Sequence, residues 1–514
     1  MQDPDVLIIG MGPVGAILAN LCARDGLRVM VVERDYEVYK QPRAIVMDHE
    51  VLRQMNFIDC AEDVLACSEP GRGYSFLNAD REILTQRSAP DAIAPTGYAG
   101  SNLFHQPSME KAVRAKLELL DTVEIRLGVE FIALHQDADS VLTTFRLPDG
   151  SLQEVKAKYL VGCDGGRSLV RRYLDIQMED LNFNEPWVVV DVKLLNDEHG
   201  LSDNAVQLCD PARPTTSVPS GPGRHRWEFM VQPGETAETV TRHDVLTEWI
   251  SAWTDPRNIE LERSAFYRFH GLVAKQWRKG RAMIVGDAAH QMPPFMGQGL
   301  CAGARDVCNL AWKLSAVDRA EAPLEFLDTV EDERSPHVKA ITESAIAMGK
   351  TVCVTDPDEA AARDAKMIED HRSGAGFAFP GVPRIKRGVL QDKMAGAVFP
   401  EGYTGSKDAP ERLDSLVGYV PLLVLRDAEG LNATQEAAIA ELNRASANLR
   451  VAALQGAKGD IVAMLDPHGD VANALGADPA MLVKPDRIVF GQGSCQKLAA
   501  GWTRYLSGEL IIDH

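Results

Sequence analysis

The chain has 514 residues, 45% of them hydrophobic, with 54 basic against 74 acidic side chains and a formal net charge of -20. Such a length buries more than one core and suggests about three domains, while the acidic balance opposes docking on nucleic-acid phosphates or anionic membrane surfaces. Nine cysteines without a CxxC pair argue against a disulfide framework or a zinc site and point to reduced thiols in the cytoplasm. No apolar run reaches bilayer-spanning length, and with Val6 already in a strand no signal peptide is expected.

Val6-Leu7-Ile8-Ile9 is a continuous apolar run, the pattern of a strand buried on both faces of a parallel sheet. A helix is predicted from Pro13 to Arg24, stopped at Gly26, and a second buried strand from Arg28 to Glu33 completes a βαβ unit. The connection between strand and helix reads Gly10-Met11-Gly12-Pro13-Val14-Gly15. Its first glycine permits a tight turn, the second lets backbone approach a pyrophosphate, and the third lets the helix pack on the strand. Glu33 stands 18 residues after Gly15, where a carboxylate can accept hydrogen bonds from an adenosine ribose. The motif predicts a dinucleotide, although a glycine-rich packing turn is the alternative and NAD is not yet separated from FAD.

From Tyr74 to His105, and again from Glu185 to His270, mixed apolar and polar runs rich in Val, Thr, Phe and Trp predict antiparallel strands over a substrate. The buried-strand pattern returns at Arg281 to Val285 and leads into Gly286-Asp287, then Pro293-Pro294 and Gly297-Gln298-Gly299-Leu300, before a helix through Leu314. A strand ending in Gly-Asp puts a carboxylate at the edge of the sheet, where the ribitol of a flavin offers hydroxyls. The following helix aims its positive end at the turn, suiting the anionic edge of a reduced flavin. From about Leu416 a separate unit is predicted: strand Leu422–Leu425, helix Thr434–Leu449, strand Val451–Leu454, a short helix, strands Met481–Lys484 and Arg487–Phe490, and a last helix. The expected fold class is α/β, with a Rossmann-like FAD domain (1–73, 106–180, 276–345) interleaved with an antiparallel-sheet substrate domain (74–105, 181–275). A helical linker (346–415) and a thioredoxin-like domain (416–514) follow.

The GxGxxG with Glu33, the segment Cys163-Asp164-Gly165-Gly166-Arg167-Ser168, and Gly286-Asp287 with its Pro-Pro and Gly-Gln-Gly resemble the three signatures of the group A flavoprotein aromatic hydroxylases, in the same order and spacing. Pro42-Arg43-Ala44-Ile45, Cys209-Asp210-Pro211-Ala212-Arg213-Pro214 and Phe229-Met230-Val231 are similar to stretches of the 3-(3-hydroxyphenyl)propionate hydroxylases. The resemblance implies noncovalent FAD, NADH or NADPH as cosubstrate, and O2 activated as a flavin C4a-hydroperoxide that hydroxylates a phenol, ortho to an existing hydroxyl. A homodimer is the expected assembly. Hydroxylation of a polycyclic aromatic, or flavin binding without turnover, are the rival readings.

By motif position the resemblance assigns Gly10, Gly12, Pro13, Val14, Gly15, Glu33, Arg34, Arg43, Gln106, Asp164, Gly286, Asp287, Gly297, Gly299, Leu300 and Cys301 to the cofactor. Bland alternatives stand beside three of them: a surface arginine for Arg43, a helix-capping side chain for Gln106, and an Asp-Gly-Gly turn for Asp164. Cys301 replaces the Asn common in the family, so a side-chain amide contact is missing. Ile45 stands where some relatives place a phenol base, leaving Asp48, His49 and His270 as candidates, His270 preferred; Pro293 joins them in the catalytic turn. Trp227, Phe229 and Arg213 are candidates for substrate contact, against ordinary core or loop roles.

Overall fold

A computed structural model describes residues 3–88, 92–375, 381–406, 408–446 and 448–509. At its centre lies a six-stranded sheet in the order Arg278–Lys279, Ala282–Ile284, Tyr159–Gly162, Val6–Ile9, Val29–Glu33, Val123–Leu127. All pairings are parallel except the outer one between Arg278–Lys279 and Ala282–Ile284. The apolar runs explain it: Val6–Ile9 and Tyr159–Gly162 are buried along their whole length, as strands covered on both faces must be. Helix Pro13–Arg24 packs on this sheet beside helix Gly299–Asp318, and the alanines and leucines of both lie in one hydrophobic core.

A second, eight-stranded sheet runs His290–Gln291, Ile259–Ala274, Met178–Leu194, Arg224–Met230, Thr215–Pro219, Ala205–Leu208, Gly73–Leu77, Ile83–Ser88. Its pairings are antiparallel apart from Ala205–Leu208 with Gly73–Leu77. A three-stranded sheet over Glu130–Ala157, which the reading of motifs passed over, sits between strand Val123–Leu127 and strand Tyr159–Gly162 in the chain. Helix Asp328–Val352 crosses the boundary expected at residue 345, because its buried positions continue through Met348 and Val352.

The last unit is a five-stranded sheet, Val462–Ala463, Arg450–Gln455, Leu422–Asp427, Ala480–Val483, Val489–Gly493, with helices Ala433–Ala445 and Cys495–Leu506. Of the boundaries that differ from the expected ones, two have a clear local cause. The first helix ends at Ala445 rather than Leu449, where Ser446 turns extended and its hydroxyl accepts from Trp502 Nε1 at 2.8 Å. The final strand starts at Val489 because Arg487 sits at φ 63° in the turn that joins the hairpin.

Two buried charge clusters fasten this unit to the rest. Asp414 accepts from Arg53 Nε at 2.5 Å and from Arg487 Nε at 2.6 Å. Glu333, on the long helix, accepts from Lys313 at 3.0 Å, Lys484 at 2.8 Å, Asn309 at 2.8 Å and the Tyr505 hydroxyl at 2.5 Å. Trp312 stacks on Trp502 beside it, ring centroids 5.9 Å apart. Among the described residues no helix is long and apolar enough to cross a membrane.

Candidate active site

A cavity of about 1970 Å³ opens between the edge of the central sheet and one face of the eight-stranded sheet. On the first wall are Gly10, Gly12, Pro13, Glu33, Arg34, Arg43, Gln106, Asp164, Asp287, Gly297, Gly299 and Leu300. Three segments far apart in sequence thus meet on one space because their strands are neighbours in the central sheet, ending at Ile9, Gly162 and Ile284.

Local packing dictates the shape of the first loop. Gly10 has φ +98°, and a Cβ there would lie 2.6 Å from the Cys163 carbonyl oxygen; one on Gly15 would lie 2.0 Å from the carbonyl oxygen of Gly10. At Gly12, by contrast, a Cβ would meet nothing within 4 Å, so this backbone is open to the cavity. The amide of Met11 donates to Glu33 Oε2 at 2.8 Å and that of Asp35 to Oε1 at 3.1 Å, which fixes the carboxylate at the cavity wall with lone pairs left over. Val14, Gly15 and Gly286 do not reach the cavity: the Val14 side chain fills the space beside Gly286 and Gly303, so these three residues shape the loops from behind.

Asp287 lies deep in the fold, yet its side chain is exposed to the cavity. Burial raises its carboxyl above the usual range, against the opposing charges of His290 and Arg43. The turn carrying it is held by a residue that motif reading missed. Asp306 accepts from the Gly286 amide at 3.1 Å, His290 Nε2 at 2.6 Å and Arg334 Nε at 2.9 Å. An adjacent Arg305-Asp306 pair within the largely apolar run Leu300–Leu310 was the available signal.

Several candidates are spoken for by other partners. Gln106 Oε1 accepts from the amides of Arg43 at 2.9 Å and Ala44 at 2.8 Å, so Gln106 positions the Arg43 loop rather than capping its own helix. Asp164 accepts from Ser168 Oγ at 2.5 Å and from the amides of Leu169 and Val170, which makes it the anchor of the Asp-Gly-Gly turn. Cys301 faces away from the cavity, fully buried against the Gly297 carbonyl oxygen, and burial pushes its thiol well up.

Two of the catalytic candidates need correction. Asp48 caps the helix His49–Asn56 by accepting from the amides of Glu50 and Val51, and its other oxygen binds Arg305 and Gln298. Burial opposes its ionisation, but the Arg305 charge outweighs this and holds the carboxyl below the usual range, unsuited to take a proton. Pro293 is buried and does not line the cavity, whereas Pro294 does. His270 lines the cavity half-buried, on the side of its strand that carries Phe266 and Arg268, which line it as well.

Alternation also corrects the substrate candidates. Trp227 and Phe229 are 0% and 1% exposed and pack with Val188, Val190, Leu246 and Ile250 on the far side of the sheet. Arg213 pairs with Glu235 at 2.7 Å and lies over the Trp249 ring, outside the cavity. The residues that do face inward from the same strand are Arg226 and Glu228. Arg226 binds Asp191 at 2.7 Å and donates to the carbonyls of Pro42 and Arg43, both at 2.7 Å; Arg263 bonds to Asp191, Pro42 and Tyr267. Charged residues alternating with aromatics in a buried strand were the signal for this polar face.

A glycine loop open at Gly12, a ribose-ready carboxylate at Glu33 and a cavity-facing Asp287 fit a long dinucleotide laid along the first wall. The family model described as FAD binding domain matches residues 3–345. The chain belongs to the FAD-binding-domain family. FAD is therefore its cofactor and the protein is an oxidoreductase. Among its relatives is the probable NADH-specific resorcinol 4-hydroxylase of Rhodococcus jostii (strain RHA1), 36% identical over 84% of this chain and 81% of that protein. A 3-(3-hydroxy-phenyl)propionate/3-hydroxycinnamic acid hydroxylase of Mycobacterium avium (strain 104) is 30% identical over 96% of this chain and 90% of that protein. The crystal structure of aklavinone-11 hydroxylase with FAD and aklavinone superposes with a TM-score of 0.80 at 25% identity, covering 98% of this chain and all of that one.

Asp287→Asn keeps the shape of this side chain and removes its charge. The FAD dissociation constant is expected to rise about tenfold, the difference between a charged and a neutral hydrogen-bond acceptor. Flavin fluorescence on dilution of the loaded protein measures it.

Proposed function

We propose that the protein is a FAD-dependent monooxygenase that hydroxylates a monocyclic phenol ortho to its hydroxyl, with NADH as reductant and O2 as the oxygen source. What carries the reading is the facing of two walls across one cavity: a dinucleotide cradle on one side, and on the other a sheet face bearing aromatic side chains and a few buried polar groups. The phenol-hydroxylating relatives, resorcinol and 3-(3-hydroxyphenyl)propionate hydroxylases in name, support the substrate class. Both of those substrates are phenols substituted at the meta position, and the NADH-specific relative supports the choice of nicotinamide.

When bound, FAD supplies the redox chemistry, hydride acceptance from the nicotinamide and activation of O2. The chain's own residues do the rest. Glu33 and Asp287 hold the hydroxyl-rich parts of the cofactor, and the amino end of helix Gly299–Asp318 favours negative charge beside Gly297 and Gly299. Arg226 and Gln106 grip the Pro42–Ala44 loop from two sides, so that Arg43 is held at the mouth. Trp187, Phe269 and Phe295 pack edge to face and face to face at 5.6 to 6.2 Å and close the substrate end against water.

We further read the chain as Rossmann-like and substrate units interleaved in sequence, followed by a thioredoxin-like unit. Strands of the central sheet drawn from both sides of the wide sheet's segments support the first part. A mixed sheet flanked by helices supports the second, and with Cys495 buried as its only cysteine the role we assign is structural. Nine free cysteines support a reducing cytoplasm, where a homodimer is the assembly we assign.

The test is oxidation of NADH and NADPH by the FAD-loaded protein with resorcinol, 3-(3-hydroxyphenyl)propionate and a polycyclic phenol, scoring hydroxylated product and released peroxide together. Stimulated NADH oxidation with ortho-hydroxylated product is expected for a monocyclic phenol. Stimulation by the polycyclic compound alone would replace the substrate class, and flux ending wholly in peroxide would overturn the hydroxylase reading.

A further inference from the structure

On the cavity-facing side of the eight-stranded sheet, one buried carboxyl that lines the cavity has no tight partner among the described residues. Glu228, in strand Arg224–Met230, is 6% exposed and lines the cavity. Among the described residues no hydrogen bond reaches its carboxyl, and the single ion-pair contact is Arg226 Nη1 at 3.9 Å. The neighbouring charges are already used: Arg226 and Arg263 share Asp191 and hold the Pro42–Arg43 carbonyls. On the other flank Thr216, register partner of Glu228, gives its hydroxyl proton to Gln207 Oε1 at 2.8 Å. A buried carboxyl costs free energy unless something bonds to it, and here the empty direction is the cavity itself.

We propose that Glu228 receives the hydrogen bond of the substrate's phenolic hydroxyl and acts as the acceptor of its proton during ring oxygenation. This deepens, and rests on, the phenol reading given above. The step is a proton transfer alone: the substrate O–H bond breaks as an O–H bond forms on Glu228, the ring gains electron density, and the proton returns to a product oxygen once the ring is aromatic again. No electron leaves the pair of groups. The arrangement also selects the substrate. Because Arg226 and Arg263, the two arginines nearest Glu228, are committed, the wall at this point offers a phenol an acceptor and a substrate carboxylate no free cation, while Arg87 and Arg268 line the cavity elsewhere.

The basicity of the group suits the task. Burial raises Glu228 to about 7, only partly offset by Arg226 and Arg263 and reinforced by Asp191. Tyr74, the remaining titratable group that senses it, stays protonated because burial pushes its own value up. At pH 8 the carboxylate is ionised yet more basic than an exposed glutamate, closer to a phenol's usual value of about 10.

Glu228→Gln, made in the full-length FAD-loaded protein, is the test, with Glu228→Asp beside it. Native kcat/KM for the best phenol should fall on an acid limb near pH 7. In the Gln variant that limb should vanish and kcat/KM at pH 8 should drop on the order of 100-fold, with flavin retention unchanged and partial recovery in the Asp variant. Thermal stability gives a check independent of turnover. A carboxyl raised from 4.5 to about 7 by folding stabilises the fold below pH 4.5, and that contribution is lost as pH rises through about 7. This slope should disappear in the Gln variant, which should melt at or above the native temperature at pH 8. A Gln variant with native kcat/KM and an unchanged acid limb overturns the proposal while leaving the phenol reading intact. Native protein that no phenol stimulates overturns both.

Discussion

Glu333→Ala should separate the last unit from the flavin-binding body and lower stability by about 3–5 kcal/mol, the cost of stranding buried charges without their partner. Lys313 and Lys484 are both 0% exposed and both form their ion pairs with this carboxylate. Burial resists ionisation of Glu333, but the two ammonium groups outweigh it and hold the carboxyl at about 2. A group depressed from 4.5 contributes stability above pH 4.5 and loses it as pH falls towards 2, so native protein should release its C-terminal unit across that window. Limited proteolysis of the stretch between Gly381 and Leu422, read against a thermal melt, measures both effects. Replacing Glu333, Lys313 and Lys484 together with methionine should restore much of the loss, because a well-packed apolar cluster needs no counter-charge. A Glu333→Ala protein that melts and digests like the native one would show that the cluster contributes no net fastening.

The second large effect separates two glycines of one motif. Gly15→Ala should give protein without FAD and with a lowered melting temperature even before cofactor is considered, since the new Cβ would lie 2.0 Å from a backbone oxygen that cannot give way. Gly12→Ala should melt like native apoprotein, because its φ of -66° suits alanine and its Cβ would meet no protein atom within 4 Å. It should nevertheless hold FAD poorly, the methyl group standing where backbone approaches the pyrophosphate. Flavin absorbance relative to protein absorbance, with melts of the cofactor-free forms, distinguishes the two. Equal stability of both apoproteins would remove the argument that Gly15 acts through packing.

The difference between these glycines marks how far sequence reading reaches. Short-range patterns were legible: the buried run Val6–Ile9, the helix Pro13–Arg24 and the strand ending at Glu33 follow from periodicity and chain breakers within a few dozen residues. The meeting of Gly12, Asp164 and Asp287 was legible too, because each follows a strand of recognisable type. What escaped was the sense of each alternation. In Arg226-Trp227-Glu228-Phe229 the period of two is plain, but which pair faces the cavity depends on what covers each face, and helix His243–Ser251 covers the aromatic side. Reading aromatics toward the substrate therefore inverted the strand. Asp48 escaped for another reason: its partner Arg305 lies 257 residues away, and nothing local to Asp48 announces that its carboxylate is taken.

The fastening at Glu333 also has a timetable. Its two lysines and its tyrosine arrive from opposite directions along the chain, and Tyr505 is made 172 residues after Glu333. At ordinary rates of translation the interval is roughly 10–35 s. For that time a nascent flavin-binding body carries Lys313 with its carboxylate but lacks the second ammonium and the ring that seal them from water. A chain stalled or clipped before Lys484 thus leaves this pair open to water and the Trp312 and Phe326 rings uncovered, the exposed apolar surface by which chaperones and proteases tell an unfinished protein from a finished one.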